Sequence, residues 1–223
     1  MPAGCLLYYI TDRSQFPGGE PQRRRALLAK IAEAALCGVD HIQLREKGLS
    51  TRELEELAGE AIRLIRKERA ANDQRTSTCL LINSRTDVAL AVGADGVHLR
   101  SDDISASEVR NVWKQAERSG APVVGVSCHS SEEVHRAASE GADFVVFGPV
   151  FEKNKIKGSA PTGVEALRHA CREKIPVLGL GGVTLENAKA CMEAGAAGIA
   201  GIRLFQEGKI GRVVEILRGL TAR

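Results

Sequence analysis

Short apolar runs alternate with longer stretches in which apolar residues recur every three to four positions, and this alternation continues along the whole chain. Leu6 to Ile10 reads as a strand ending at Thr11-Asp12-Arg13. Pro21 leads into a helix that carries Leu28, Ile31, Ala32, Ala35 and Leu36 on one face and is stopped by Gly38. From His41 a second strand begins, with Ile42 and Leu44 alternating against Gln43 and Arg45. Ser50 caps a helix with the stripe Leu54, Leu57, Ala61, Ile62 and Ile65, where Thr51 and Glu55 are also available to the first turn. Asn72 to Thr78 is a polar loop. The pattern then repeats, strand before helix: 79–83 and 86–92, 96–99 and 107–118, 122–127 and 131–140, 144–147 and 164–173, 176–180 and 185–194, 198–202 and 210–217.

The strands are apolar on both faces, as strands are when helices cover a parallel sheet. Eight strands in strict alternation with eight helices predict an α/β protein, a single-domain (β/α)₈ TIM barrel over residues 1–223. A doubly wound open sheet is the alternative. An internal echo favours the barrel: Cys37-Gly38-Val39-Asp40, Gly93-Ala94-Asp95-Gly96, Gly141-Ala142-Asp143-Phe144 and Gly195-Ala196-Ala197-Gly198 each lead into an even-numbered strand. They recur about every 50 residues, a period that marks quarter-barrel units. Asp95 and Asp143, which precede strands on the bottom face, are expected to serve stability.

In a barrel the chemistry sits at the C-terminal strand ends. There the chain places Thr11, Asp12, Gln43, Arg45, Lys47, Asn83, Ser84, Arg85, Arg100 to Asp103, Ser127, His129, the loop 152–162, Gly181, Gly182 and Arg203. This rim is rich in cations, amides and glycines and poor in nucleophile–base pairs, which suits phosphate binding better than ester hydrolysis. Gln43, Arg45 and Lys47 fall at i, i+2 and i+4, so an extended chain points them one way, with Glu46 opposite. Two cations and an amide on one face suit a polyanion. Gln43, Arg45, Lys47 and Asn83 form one expected phosphate subsite. Gly181-Gly182 with Arg203 form a second, because barrels often hold phosphate on the loops after strands seven and eight.

Composition narrows the rest. At 223 residues, 43% hydrophobic and 26% charged, the chain forms one domain with a substantial core, and a net charge of +3 argues for neither nucleic acid nor membrane partners. No window reaches the roughly 20 apolar residues of a spanning helix, and residues 1–4 lack a leader's pattern, so a cytoplasmic protein is expected. The six cysteines are scattered singly, as reduced core thiols are. His98 reads as a hydrogen-bonded interior residue, and Trp113 and Phe205 as packing.

Five blocks, Gln43-Leu44-Arg45-Glu46-Lys47, Gly93 to Leu99, Gly125 to Ser130, Gly148-Pro149-Val150-Phe151 and Leu180-Gly181-Gly182-Val183, resemble the thiamine phosphate synthase family in order and spacing. The resemblance implies a magnesium-dependent transferase of thiamine biosynthesis. It would condense 4-amino-2-methyl-5-(diphosphooxymethyl)pyrimidine with 4-methyl-5-(2-phosphooxyethyl)thiazole to give thiamine phosphate and pyrophosphate. It further implies that Gln43, Arg45, Lys47 and Asn83 hold the pyrimidine diphosphate, that Asp103 binds Mg²⁺, that Ser127 lies by the leaving group, and that Gly182 gives its N–H to the thiazole phosphate. Arg45, Lys47 and Ser127 would be catalytic, and Glu46, Lys153, Lys155, Gly181, Ile202 and Arg203 complete the expected substrate-binding set. A homodimer is one assembly open to such a chain, and the sequence does not fix the oligomeric state.

The chain departs from the family pattern in places. Asn83-Ser84 stands where the family has Asn-Asp, Arg100-Ser101-Asp102-Asp103 where it has Gly-Gln-(Glu/Asp)-Asp, 152–156 where it has Pro-Thr-x-(Thr/Ser)-Lys, and Arg203 where it has serine. A thiazole tautomerase-like enzyme, or another phosphate-ligand barrel enzyme, is the alternative. A non-catalytic barrel that binds thiamine precursors is a second.

Overall fold

The computed structural model describes residues 4–71, 78–152 and 161–220. Its elements are β1 (Leu6–Ile10), α1 (Glu20–Leu36), β2 (His41–Leu44), α2 (Thr51–Ala71), β3 (Cys79–Asn83) and α3 (Thr86–Val92), then β4 (Gly96–Leu99), α4 (Ala106–Gln115), β5 (Val123–Cys128), α5 (Ser131–Ser139), β6 (Phe144–Phe147) and α6 (Gly163–Ala170), and finally β7 (Val177–Gly179), α7 (Ala188–Glu193), β8 (Gly198–Gly201), α8 (Arg203–Gln206) and α9 (Ile210–Arg218). All eight strands pair in parallel and in sequence order, and β8 closes onto β1. The doubly wound alternative is excluded by that closure.

Period-two alternation divides each strand between two cores. Tyr8, Ile10, Leu81, Phe144, Val146, Leu178 and Ala200 fill the barrel interior. Their neighbours Leu7, Tyr9, Ile42, Leu44, Leu80, Ile82, Val97, Val124, Val145 and Ile199 pack outward against the helices. No helix is long and apolar enough to cross a membrane among the described residues. All six cysteines are free, and burial pushes the Cys191 thiol up to about 12.

The quarter-barrel echo has a mechanical meaning. Gly38, Gly93, Gly141 and Gly195 turn the chain at φ 77, 69, 84 and 98, the left-handed region that ends a helix. Two residues later, Asp40, Asp95 and Asp143 each accept the N–H of the strand before: Leu7 at 2.7 Å, Leu80 at 2.8 Å and Val124 at 2.7 Å. Each aspartate therefore ties the bottom of an odd strand to the entry of the even strand beside it. In the last quarter Ala197 takes this position and bonds through its backbone alone, N–H to the Val177 carbonyl.

The helices differ from expectation at their ends. Ser50 caps α2 by exchanging bonds with Glu53, not Glu55 or Thr51. A Ser105–Glu108 capping box starts α4 at Ala106. Asn187 accepts from the Thr184 N–H and donates to the Gly182 carbonyl, and this turn delays α7 to Ala188. The short α8, directly after β8, was not expected.

Asp40 also pairs with Arg218 of α9 at 2.9 Å. Asp40→Ala leaves the Leu7 N–H without its acceptor and should lower unfolding free energy by about 2 kcal/mol, read from urea midpoints.

Candidate active site

Thr11, at the end of β1, is fully buried. Its hydroxyl donates to Glu46 at 2.5 Å and accepts the Arg45 N–H at 3.0 Å. Glu46 also accepts from the Arg13 backbone N–H (3.0 Å) and guanidinium (3.2 Å), and its side chain is 1% exposed. Burial pushes the Glu46 carboxyl up, against the pull of Thr11 and Arg13. Glu46 is thus a clamp between the β1 and β2 rims, with its oxygens engaged by protein. The carboxylate expected among the substrate contacts is turned to protein partners in this structure.

The i, i+2, i+4 face needs correction. It holds as far as Arg45, but β2 ends at Leu44 and Lys47 lies in a turn, its carbonyl accepting from Arg13 at 3.1 Å. Lys47 is exposed and Arg45 half-buried, and among the described residues neither side chain has a protein partner. The charge of Arg45 is felt at Asp12 and at His98. With Glu46 and Asp103 already paired to other arginines, these two cations stay open to a ligand.

From β2 to β4 the rim is one hydrogen-bonded chain. Gln43, 2% exposed, donates to Asn83 at 2.7 Å, and Asn83 donates to the Ser84 hydroxyl at 3.2 Å. Ser84 donates to Asp103 at 2.6 Å, and Asp103 also accepts the Arg100 N–H (2.8 Å) and guanidinium (3.0 Å). Burial works against ionising Asp103, but the bonds from Ser84 and Arg100 outweigh it and hold the carboxyl below its usual range. Ser84 adopts φ 57, and its N–H donates to the His98 carbonyl. Asp102 is exposed and lies 3.5 Å from Arg100.

Ser127, at the end of β5, meets His98 of β4: Nε2 and Oγ are 2.8 Å apart. The other ring nitrogen of His98 is 2.9 Å from the Tyr8 hydroxyl. Burial lowers the His98 pKa to about 3, with the Arg45 charge acting in the same direction, so the ring is neutral. Gly125 makes room for it, since a Cβ there would lie 3.0 Å from His98 Nδ1 and 2.5 Å from the Phe144 ring. His129 is exposed, with its Nδ1 on the Gly148 carbonyl at 2.6 Å.

Across the mouth, Gly181 and Gly182 take φ 93 and 64, and a Cβ on either would lie 2.6 to 2.7 Å from the Pro149 or Glu152 backbone. Gly181 accepts the Phe151 N–H, whereas the N–H groups of Gly182 and Val183 meet no acceptor among the described residues. Ile202 is half-buried at the end of β8. Arg203 opens α8 with an exposed, unpaired side chain. Lys153 and Lys155 lie outside the described residues.

Sequence reasoning placed Arg13 and Arg100 at strand ends but missed their pairing, and it did not single out Tyr8 or Gln206. Arg13 locks Glu46, Arg100 locks Asp103, Tyr8 completes the His98 contact, and buried Gln206 of α8 pairs both ways with the Asp12 backbone at 2.8 and 3.0 Å. A polar residue on so short a helix leaves no periodic signal, and adjacent Tyr8 and Tyr9 do not reveal which of the two faces inward.

Two groups of free donors on one rim define a (β/α)₈ barrel built to hold phosphorylated ligands. Comparison with known proteins narrows the class. The family model described as thiamine monophosphate synthase matches residues 7–205, and the chain belongs to that family. It is 38% identical over 197 residues to the thiamine-phosphate synthase of Chloroflexus aurantiacus, covering 87% of this chain and 82% of that one. It is 37% identical to the thiamine-phosphate synthase of Syntrophomonas wolfei, covering 87% and 85%. The solved thiamine phosphate pyrophosphorylase of Pyrococcus furiosus superposes with a TM-score of 0.76 at 30% identity, covering 97% of this chain and 95% of that one.

The depressed His98 pKa carries a pH signature. As pH falls below 6.5 the unfolded chain takes up the His98 proton, while the folded chain resists until about 3, so stability is lost progressively across that window. His98→Asn should flatten the pH dependence of the urea midpoint there by up to about one proton, or about 1.4 kcal/mol per pH unit.

Proposed function

We propose that this barrel is a thiamine-phosphate synthase, a transferase that joins the pyrimidine diphosphate to the thiazole phosphate and releases pyrophosphate. The observation that carries the reading is the pairing pattern of the rim. Arg45 and Lys47 are free of protein carboxylates on one side of the mouth, and the Gly182 and Val183 N–H groups are free on the other. Two anion subsites on one rim suit two phosphorylated substrates. The sequence relatives and the solved pyrophosphorylase support the same activity.

The reaction breaks the bond between the pyrimidine methylene and the diphosphate oxygen, and the electron pair leaves with pyrophosphate. The thiazole nitrogen then supplies the lone pair for the new C–N bond. That nitrogen carries no proton, so no general base is required. The protein's work is positioning and charge. Arg45 and Lys47 balance charge that grows on the departing diphosphate, and Ser127 adds a hydrogen bond. Gln43 and Asn83, already bonded to each other, keep spare donors and an acceptor for the edge of an aminopyrimidine. Gly182, Val183 and Arg203 receive the thiazole phosphate, beside the half-buried Ile202.

The donors at the β3 and β4 ends fit a magnesium ion that arrives with its substrate. Asp103, Asp102 and Ser84 offer only oxygen, as a hard cation requires. Among the described residues, no group of three or more metal-ligating side chains makes a site without further ligands from diphosphate and water. Asp103 would hold the ion, which would supply positive charge to the leaving group.

Purified protein mixed with both substrates and Mg²⁺ should form thiamine phosphate, and Arg45→Ala should lower kcat/KM by about 10²- to 10³-fold. No product under saturating conditions rejects the assignment. Ser84→Asp should increase the Mg²⁺-dependent rate and lower the half-saturating Mg²⁺ concentration, because a second carboxylate then stands beside Asp103; an unchanged Mg²⁺ dependence would show that no ion binds there.

A further inference from the structure

We propose that Tyr8 and His98 are positioning residues which commit the Ser127 hydroxyl to donating its hydrogen bond into the mouth. The Ser127–His98 contact of 2.8 Å admits two opposite chemistries. If Nε2 is bare it accepts the serine proton, and the pair resembles the nucleophile and base of an acyl-transfer enzyme. If Nε2 carries the hydrogen it donates to Oγ, and the serine proton must point elsewhere. Which holds is decided at the far side of the ring.

Tyr8 is 0% exposed, and among the described residues its hydroxyl has one partner, His98 Nδ1, at 2.9 Å. The rings around it, Phe144 and His41, meet it edge-on at centroid distances of 5.2 and 6.0 Å. A phenol always brings a proton to such a contact at neutral pH. With hydrogen on Nδ1, the Tyr8 O–H would be left without an acceptor in the barrel core, an arrangement that folded proteins avoid. With hydrogen on Nε2, every proton is placed: Tyr8 donates to Nδ1, Nε2–H donates to Ser127 Oγ, and Ser127 is free to donate outward.

The neutral ring is therefore a relay of orientation, not a base. Its N–H on Oγ also polarises the hydroxyl and strengthens the bond that Ser127 makes in turn. In the synthase reading, on which this inference rests for its ligand, that bond falls on the diphosphate as its charge develops. Serine is then a donor like Arg45 and Lys47, and the Ser–His pair is disqualified from hydrolytic work.

The test combines a spectrum with a mutant cycle. In the ¹⁵N-histidine spectrum of the wild-type protein, with the His98 ring identified by its loss in His98→Asn, Nε2 should carry the hydrogen. Tyr8→Phe should lower kcat about tenfold with KM for either substrate little changed. Ser127→Ala should lower kcat about a hundredfold, and Tyr8→Phe should add nothing in that background. A hydrogen on Nδ1 in the wild-type spectrum, or additive losses in the double variant, overturns the proposal. A protein that forms no thiamine phosphate overturns the synthase reading instead, and the spectrum still decides the tautomer.

Discussion

Closure of a parallel sheet is the constraint from which the rest follows. Because all eight strands run the same way and β8 bonds to β1, every strand delivers its C-terminal end to one ring. Residues as distant in sequence as Arg45 and Arg203 thereby come to share one mouth. The aspartates at the opposite end set the strands' depth. Asp40, Asp95 and Asp143 each couple a strand to its predecessor through one buried N–H, so the height of the rim is decided at the floor. A shift of one residue at any of these ties would turn inward-facing side chains out.

On that ring, pairing decides which charges are available. Of the three arginines that follow β1, β2 and β4, only Arg45 is open. Arg13 is bonded to Glu46 and Glu20, and Arg100 to Asp103. The acidic rim residues therefore act mainly by occupying the arginines that should not bind substrate. On this side of the mouth anions are then drawn to Arg45 and Lys47. The same logic explains why the glycine side needs no side chain: at Gly182 the backbone folds so tightly that a Cβ would meet the Glu152 carbonyl at 2.7 Å, which leaves bare N–H groups as the surface.

Most of the fold was legible because barrel strands announce themselves as short apolar runs and their helices as stripes with capping residues. The limits at 79–83, 86–92, 96–99 and 144–147 agree with the structure to the residue. What escaped was whatever depended on a partner far away in sequence. Periodicity cannot say that Glu46 will meet Arg13, because that pair exists only after β1 and β2 lie side by side. It cannot place Lys47 either, since the strand ends earlier and Gly48, at φ 83, turns the chain. α8 falls below the length at which a stripe is visible, and Gln206 matters only through the Asp12 backbone. The rim positions were foreseeable from strand ends; the hydrogen bonds linking them were not.

The corner formed by Ser84, Arg100 and Asp103 shows how two departures from the family pattern, Ser84 and Arg100, can be one physical change. Ser84 holds φ 57, a conformation that aspartate and asparagine tolerate better than serine, so backbone comfort does not account for it. Its effect is electrostatic. With aspartate there, two carboxylates would sit in contact and require a cation between them. With serine, a single carboxylate remains, and Arg100 supplies a single positive charge at 3.0 Å. The corner is then neutral and fully hydrogen-bonded before any ligand arrives. A divalent ion gains little by entering it alone. It would gain more if diphosphate brought additional oxygens and drew Arg100, whose side chain is 61% exposed, off Asp103. Under the proposed activity, a cation would therefore come to this corner as a companion of the substrate.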